Sequence, residues 1–266
     1  MAGADREAGE LLEKVLAEEG IEVCNGCRIQ SISNDNGQVV VVTDNGKTFK
    51  GERLLMAAGR QPVFDSLALD KAGVNLADNG FIEVNKYLQT SQPHIFAPGD
   101  CNGRHMFSHS AMHQGMIAIM NSMMFGPMRR DFRKYVVPWT VFTDPQVSFV
   151  GQTENELKVK GTKYEVITMN YEDYGAAIAE GVDIGFVRVL ASKTGRIYGV
   201  TIVGEGSGEM INEWALAIQK KLRMHDIMFL QHSFPTMGFL TKRSSEQWMM
   251  NRMQWAPLKA MCRLMF

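Results

Sequence analysis

Apolar positions recur three and four residues apart near the start of the chain. Leu11, Leu12, Val15 and Leu16 mark one face of a helix from about Asp5 to Glu19, and Gly20 stops it. The period then shortens to two. Ile21–Val23 opens a strand, Arg28–Ser33 alternates, and Val39–Thr43 is a β-branched run, with turns at Asp35-Asn36-Gly37 and Asn45-Gly46. Leu54–Ala58 is a short apolar strand running into Gly59. Residues 63–80 are loop and short helix, Phe81–Val84 is a strand, and Ile95-Phe96-Ala97 is a buried strand ending at Pro98-Gly99-Asp100. A long apolar helix follows over His109–Phe125, and the basic, proline-punctuated stretch 126–134 reads as a linker.

Beyond the linker, strands alternate with helices. The strands fall at Val141–Phe142, Val147–Val150, Tyr164–Met169, Gly185–Leu190 and Ile197–Val203, and the helices at Thr153–Lys160, Gly208–Leu222 and Gly238–Gln254. Thr153 with Glu156 three residues on fits a capping box. Strands followed by terminal helices predict a separate α+β domain. No repeat or low-complexity segment interrupts the pattern.

Composition changes this picture little. Hydrophobic residues make up 45% and charged residues 21% of 266, which suits a folded domain. A formal net charge of -1 argues against nucleic acid or an acidic membrane as partner. No run approaches the roughly 20 apolar residues that a membrane span needs, and the acidic start lacks an apolar signal core, so a cytoplasmic address is expected. The 19 methionines are read as adaptable packing rather than as metal ligands. Four cysteines, Cys24, Cys27, Cys101 and Cys262, are no disulfide framework in a chain of this length.

Candidate chemistry centres on Asp100. A strand ending in Gly-Asp before a polar loop and a helix delivers a carboxylate to the sheet edge beside free helix N–H groups. Alone, this is more often a turn or a cap than a ligand contact. Its context is more specific. Ala57-Ala58-Gly59-Arg60-Gln61-Pro62, then Gln89-Thr90-Ser91 through Ile95-Phe96-Ala97-Pro98-Gly99-Asp100, then Met106-Phe107-Ser108-His109-Ser110-Ala111 with Gln114-Gly115, and finally Val137-Pro138 with Phe142-Thr143-Asp144-Pro145 and Val150-Gly151 stand in order along the chain. Together these four elements resemble the pyridine nucleotide–disulfide oxidoreductases, dihydrolipoamide dehydrogenases and mercuric reductases among them, over residues from about 5 to 255.

The resemblance implies α/β segments followed by an α+β dimerisation domain with an antiparallel sheet and flanking helices. Residues 1–62 would be the second half of an NAD(P)-binding domain, 63–134 the C-terminal segment of an FAD-binding domain, and 135–266 the dimerisation domain. It implies FAD and NAD(P) as cofactors of the intact family member, with the flavin possible but not required in a chain of this extent. Asp100 would bond the ribityl chain, and the backbone of Met106, Phe107, Ser108 and His109 would line the flavin ring with Ala111 close by. Gly59 would lie against the nicotinamide cofactor, where a side chain would clash; otherwise it simply permits a tight turn. The alternative for His109 is a helix start with no ligand. A homodimer through 135–266 is implied, and Trp214, Trp248, Met249, Met250, Met253 and Trp255 are candidates for its interface or for the core.

Departures from the family pattern shape the functional expectation. No G-x-G-x-x-G occurs, so no loop is available for close approach to a pyrophosphate, and the family's redox Cys-x4-Cys pair is expected to be missing. Phe234 and Phe239 stand where the family has its catalytic histidine and glutamate, and phenylalanine cannot move a proton. His232 matches a non-catalytic histidine, about 7 Å away on an extended segment. Cys24-Asn25-Gly26-Cys27 could be a redox pair or half a zinc site, but no second Cys or His pair answers it and it does not open a helix. Cys262 resembles the C-terminal thiols of mercuric reductases only thinly. The expected function is therefore a truncated FAD- and NAD(P)H-linked oxidoreductase without a catalytic dyad. The alternatives are a non-catalytic dimerisation module, or one half of a split flavoenzyme whose partner chain carries the missing N-terminal half.

Overall fold

The computed structural model describes residues 5–253. Strand patterning resolves into two antiparallel sheets. The smaller is a meander of β1 (Ile29–Asp35), β2 (Gln38–Thr43) and β3 (Thr48–Gly51). Its first turn carries Asn36 and Gly37, both at positive φ (50° and 89°), the backbone that a two-residue hairpin demands. The larger sheet has the order β4-β5-β8-β7-β6, from β4 (Trp139–Val141), β5 (Val147–Gly151), β6 (Glu165–Asn170), β7 (Phe186–Ala191) and β8 (Ile197–Val203).

The central strands β7 and β8 are buried almost throughout, because helices cover both faces of the sheet. On one face lie α5 (Ser207–Lys220), α6 (Met224–Phe229) and α7 (Phe239–Met253), which bury Trp214, Met224, Leu240 and Trp248 against Val187, Val189, Val200 and Ile202. On the other face lies α1 (Arg6–Glu18), whose Ala8 and Leu12 close over Val147, Phe186 and Val203. The apolar stripe read at the start of the chain thus finds its partner more than 130 residues downstream. This is the expected α+β arrangement of an antiparallel sheet with flanking helices. Short α3 (Glu154–Val159) begins at the predicted capping box: Thr153 Oγ1 accepts from the Glu156 amide, and Glu156 accepts in return.

Several expectations need correction. Ile21–Val23 and Leu54–Ala58 form no strand, and Leu55 is 89% exposed. An apolar run becomes a strand only when a neighbour takes up its backbone groups, and no neighbour pairs with these two among the described residues. Phe81–Val84 and Ile95-Phe96-Ala97 make only isolated bridges, Leu76 to Ile82 and Gln89 to Phe96. The stretch 126–134 is no free linker: Asn121 donates to the Arg130 carbonyl, accepts from its amide, and Phe132 is buried beside Leu88, Ile117 and Ala118. α4 (Gly175–Glu180) and α6 escaped the pattern reading because six residues are too few to show a periodic stripe. Of the proposed interface or core residues, Trp214 and Trp248 belong to the core and Met249 packs partly against it. Met250 and Met253 are exposed, and Trp255 lies outside the described residues, as does Cys262.

One charged cluster ties α1 to the sheet. Arg188 on β7 is nearly buried, and its guanidinium pairs with Asp5 at 3.0 Å, with Glu154 at 2.8 Å and with Glu7. Burial, then the hydrogen bond shared with Glu7, pushes the Asp5 carboxyl up to about 6, whereas that same bond holds Glu7 at about 2. A carboxyl whose folded pKa is raised binds its proton more tightly in the folded chain. Its contribution is full below about pH 4 and is lost as pH rises through about 6. Asp5→Asn cannot titrate, so the melting temperature of the parent relative to this variant should fall between pH 4 and pH 7. Thermal melts across that range give the readout, and a constant difference would contradict the shift.

Candidate functional site

The turn that follows Ala97 is built on a backbone only glycine takes easily. Gly99 has φ 85° and ψ −153°, and a Cβ there would lie 3.0 Å from the Ala111 Cβ. That close approach seats the turn on α2 (Ser108–Met123). Gln114, buried in α2, locks it: its Oε1 accepts from the Gly99 amide at 2.8 Å and from Asn102 Nδ2 at 2.7 Å, while Nε2 donates to Ser110 Oγ. Asn102 also donates to the Ala97 carbonyl at 2.9 Å. The carboxylate of Asp100 is thereby projected outward, where Arg60 donates to it at 2.7 Å and to the Met106 carbonyl at 3.1 Å.

Beside this turn opens a cleft of about 490 Å³. Met106, Phe107, Ser108 and His109 form one wall, Pro138, Trp139, Thr140 and Phe142 the other, and Arg60 the rim. His109 holds the two walls together, because its Nε2 donates to the Pro138 carbonyl at 2.8 Å and its ring stacks on Phe107. A carbonyl can only accept, which fixes the imidazole proton on Nε2. The cleft floor is the N-terminus of α2, where no side chain caps the helix and the first helical bond runs from the Ala111 amide to the Phe107 carbonyl. The amides of Ser108, His109 and Ser110 precede that bond, leaving the positive end of a 16-residue helix available to a ligand oxygen. Burial lowers the nearby His105 and His113, with Arg104 and His109 adding to the effect at His105.

Four of the seven sequence-predicted site residues therefore meet in one cleft. Asp100 lies in an adjoining hollow with Phe64, Phe81 and Cys101, and the two spaces share Arg60 and Met106. Ala111 packs under the Gly99 turn rather than lining either space. Gly59 has φ +105°, and a Cβ there would meet nothing within 4 Å, so the backbone conformation is what requires glycine within this chain. Arg60, Gln114 and Trp139 were missed. Arg60 and Gln114 sit inside the quoted motifs, but only coordinates show that one reaches Asp100 and the other carries the turn.

One of the expected absences needs correction. Cys24 and Cys27 are joined by a disulfide, so the expectation of no redox-capable cysteine pair is not supported. A His–carboxylate contact also exists, between His232 Nε2 and Glu213 at 3.0 Å, although not at the positions of the family dyad. His232 Nδ1 faces the Leu230 carbonyl, Phe239 lies edge-on to the ring, and Phe234 is exposed beyond it.

Flat apolar and aromatic walls over a row of free amides suit the ring of a flavin, and the Asp100 carboxylate suits a polyol chain. No glycine-rich loop is present in the sequence for a pyrophosphate, so the residues fit one end of a flavin nucleotide only. The supporting turn can be tested by itself. Gln114→Leu leaves the Gly99 amide and one Asn102 donor unpaired, each worth about 1–3 kcal/mol. The urea midpoint should fall accordingly, and an unchanged midpoint would show that the turn does not depend on this side chain.

Comparison with known proteins gives the family and the fold. The family described as Pyridine nucleotide-disulphide oxidoreductase matches residues 1–115, and the one described as Pyridine nucleotide-disulphide oxidoreductase, dimerisation domain, matches residues 137–243. The dihydrolipoyl dehydrogenase of Buchnera aphidicola from Acyrthosiphon pisum is 37% identical over 188 residues, spanning 70% of this chain and 39% of that protein. The mitochondrial dihydrolipoyl dehydrogenase of Caenorhabditis elegans is 30% identical over 242 residues, 89% of this chain and 48% of its own. The crystal structure of LpdA from Mycobacterium tuberculosis superposes with a TM-score of 0.82 at 25% identity, over 91% of this chain and 52% of that one. The HOCl-induced flavoprotein disulfide reductase RclA from Escherichia coli gives 0.81 at 25%, over 92% and 55%. The chain thus spans about half the length of these relatives, and with two family matches in the same order along it, it belongs to the pyridine nucleotide-disulphide oxidoreductase family.

Proposed function

We propose that this chain supplies the ring-binding part of the flavin site and the dimerisation domain of an FAD-dependent, NAD(P)H-linked oxidoreductase. Residues 1–62 act as the second half of the NAD(P)-binding domain, 63–134 as the last part of the FAD-binding domain, and 135–266 as the dimerisation domain. The observation that carries the reading is the cleft between the start of α2 and the segment 138–142, with free helix amides as its floor. Met106, Phe107, Ser108 and His109 line the ring, Ala111 seats the turn, Asp100 bonds the ribityl chain in exchange for Arg60, and Gly59 lies at the nicotinamide. A bound flavin supplies the hydride-accepting chemistry, while this chain binds, orients and shields it. With Phe234 and Phe239 at the dyad positions, no proton relay serves a lipoamide-like disulfide there, so the electron acceptor is of another kind.

Support for further polypeptide around the site comes from α2. Met112, Met116, Ile119 and Met123 recur along one side of this helix and are all exposed, with Phe125 beyond them. An apolar stripe of this length needs a cover, and the half of the relatives that this chain does not span is the cover we assign to it, whether joined in one polypeptide or supplied by another chain. No helix among the described residues is long and apolar enough to cross a membrane. Phe142, Phe229 and Phe234 are exposed on the 135–266 portion and are assigned to a homodimer contact.

Titration of FAD with the purified chain, followed through flavin fluorescence, tests the site. Saturable quenching is expected, and Asp100→Ala should weaken it by about tenfold for one hydrogen bond to a charged group. Protein that carries no yellow chromophore and leaves FAD emission unchanged overturns the flavin reading. Light scattering tests the assembly: the parent chain should run at twice the mass of Phe142→Glu, and a monomeric parent would remove the dimer.

A further inference from the structure

The disulfide at Cys24–Cys27 lies outside every space described above. Its setting is unlike that of a structural staple. A cross-link restrains the unfolded chain more as its loop lengthens, and these two residues are only three apart, closed over an Asn25-Gly26 turn with Gly26 at φ +72°. The pair is not enclosed: both cysteines are only half-buried, and Ile21, Asn25, Gly26, Arg28 and Ile29 around them are exposed. An incoming thiol can therefore reach the sulfurs.

Asn45, in the turn between β2 and β3, addresses the bond directly. Its Oδ1 accepts from Thr43 Oγ1 at 2.7 Å and from the Lys47 amide at 3.2 Å. A backbone N–H can only donate, so the atom facing Lys47 is the oxygen, and the amide nitrogen is necessarily the one turned to the cysteines. That Nδ2 stands 3.3 Å from Cys27 Sγ and 4.0 Å from Cys24 Sγ. A donor fixed in place beside a sulfur stabilises the thiolate more than the disulfide, since a hydrogen bond to an ionised acceptor is the stronger one. The hairpin thus presents a preformed thiolate site to Cys27 in preference to Cys24.

We propose that Cys24–Cys27 is a redox-active disulfide that exchanges with low-molecular-weight thiols such as glutathione, with Cys27 as the leaving sulfur held by Asn45. This does not depend on the flavin reading. A thiolate attacks Cys24 Sγ; the new bond joins that sulfur to the incoming one, the Cys24–Cys27 bond breaks, and its electron pair leaves on Cys27, which accepts from Asn45 Nδ2. A second thiolate attacks the incoming sulfur of the mixed disulfide, and Cys24 departs as thiolate. Two thiols are oxidised to one disulfide, and the protein pair gains two electrons and, on protonation, two protons.

The experiment equilibrates the full chain with defined ratios of reduced to oxidised glutathione. Acid quenching, alkylation and peptide mass spectrometry then read the state of Cys24 and Cys27, with Cys101, whose thiol donates to the Pro98 carbonyl, as internal reference. The pair should interconvert reversibly within the accessible ratios, and the transient glutathione adduct should fall on Cys24. Asn45→Ala should shift the equilibrium about tenfold toward the disulfide, the worth of one hydrogen bond to a charged group. Asn45→Asp keeps both Oδ1 contacts, and so the hairpin, while replacing the donor with a negative charge; its shift should be larger and in the same direction. A pair that stays closed, or stays open, at every ratio overturns the proposal. So does an Asn45→Asp chain whose equilibrium matches the parent's.

Discussion

A single buried side-chain oxygen carries the candidate site. Gln114 Oε1 takes up the backbone amide of Gly99 and the side-chain amide of Asn102, two donors that burial would otherwise leave unmet. Everything functional in the region is displaced from that point: Asp100 leaves the turn on one side, and the free amides of α2 open on the other. The glycine before Asp100 lets the turn approach Ala111 closely enough for the contact to form. Without that approach the carboxylate and the helix end would not share one opening.

Much of the fold was legible because its elements obey simple periods. The stripe of α1, the β-branched, largely apolar runs of β7 and β8, and the capping box at Thr153 each state their structure locally. What misled was an apolar run without a partner. Leu54–Ala58 has the composition of a strand, but pairing is a property of two segments, and no described segment pairs with it. The converse holds for 126–134, which looks like a linker by composition yet is pinned by Asn121 and Phe132.

The site divides in the same way. Met106, Phe107, Ser108 and His109 could be picked from motif order, and they do line one cleft. The opposite wall, Trp139 and Phe142, could not, since nothing local says that a strand of the terminal domain faces the start of α2. Cys24 and Cys27 were visible as a pair, but nothing local says that Asn45, on a separate hairpin, turns its amide toward their sulfurs.

The bond from His109 to the Pro138 carbonyl has a consequence for how the chain matures. Each wall of the cleft is laid down by a different stretch of polypeptide. A ligand that prefers the finished opening would act as a clasp between the two stretches, favouring their docked arrangement by mass action. Loading and assembly would then be one event rather than two in sequence.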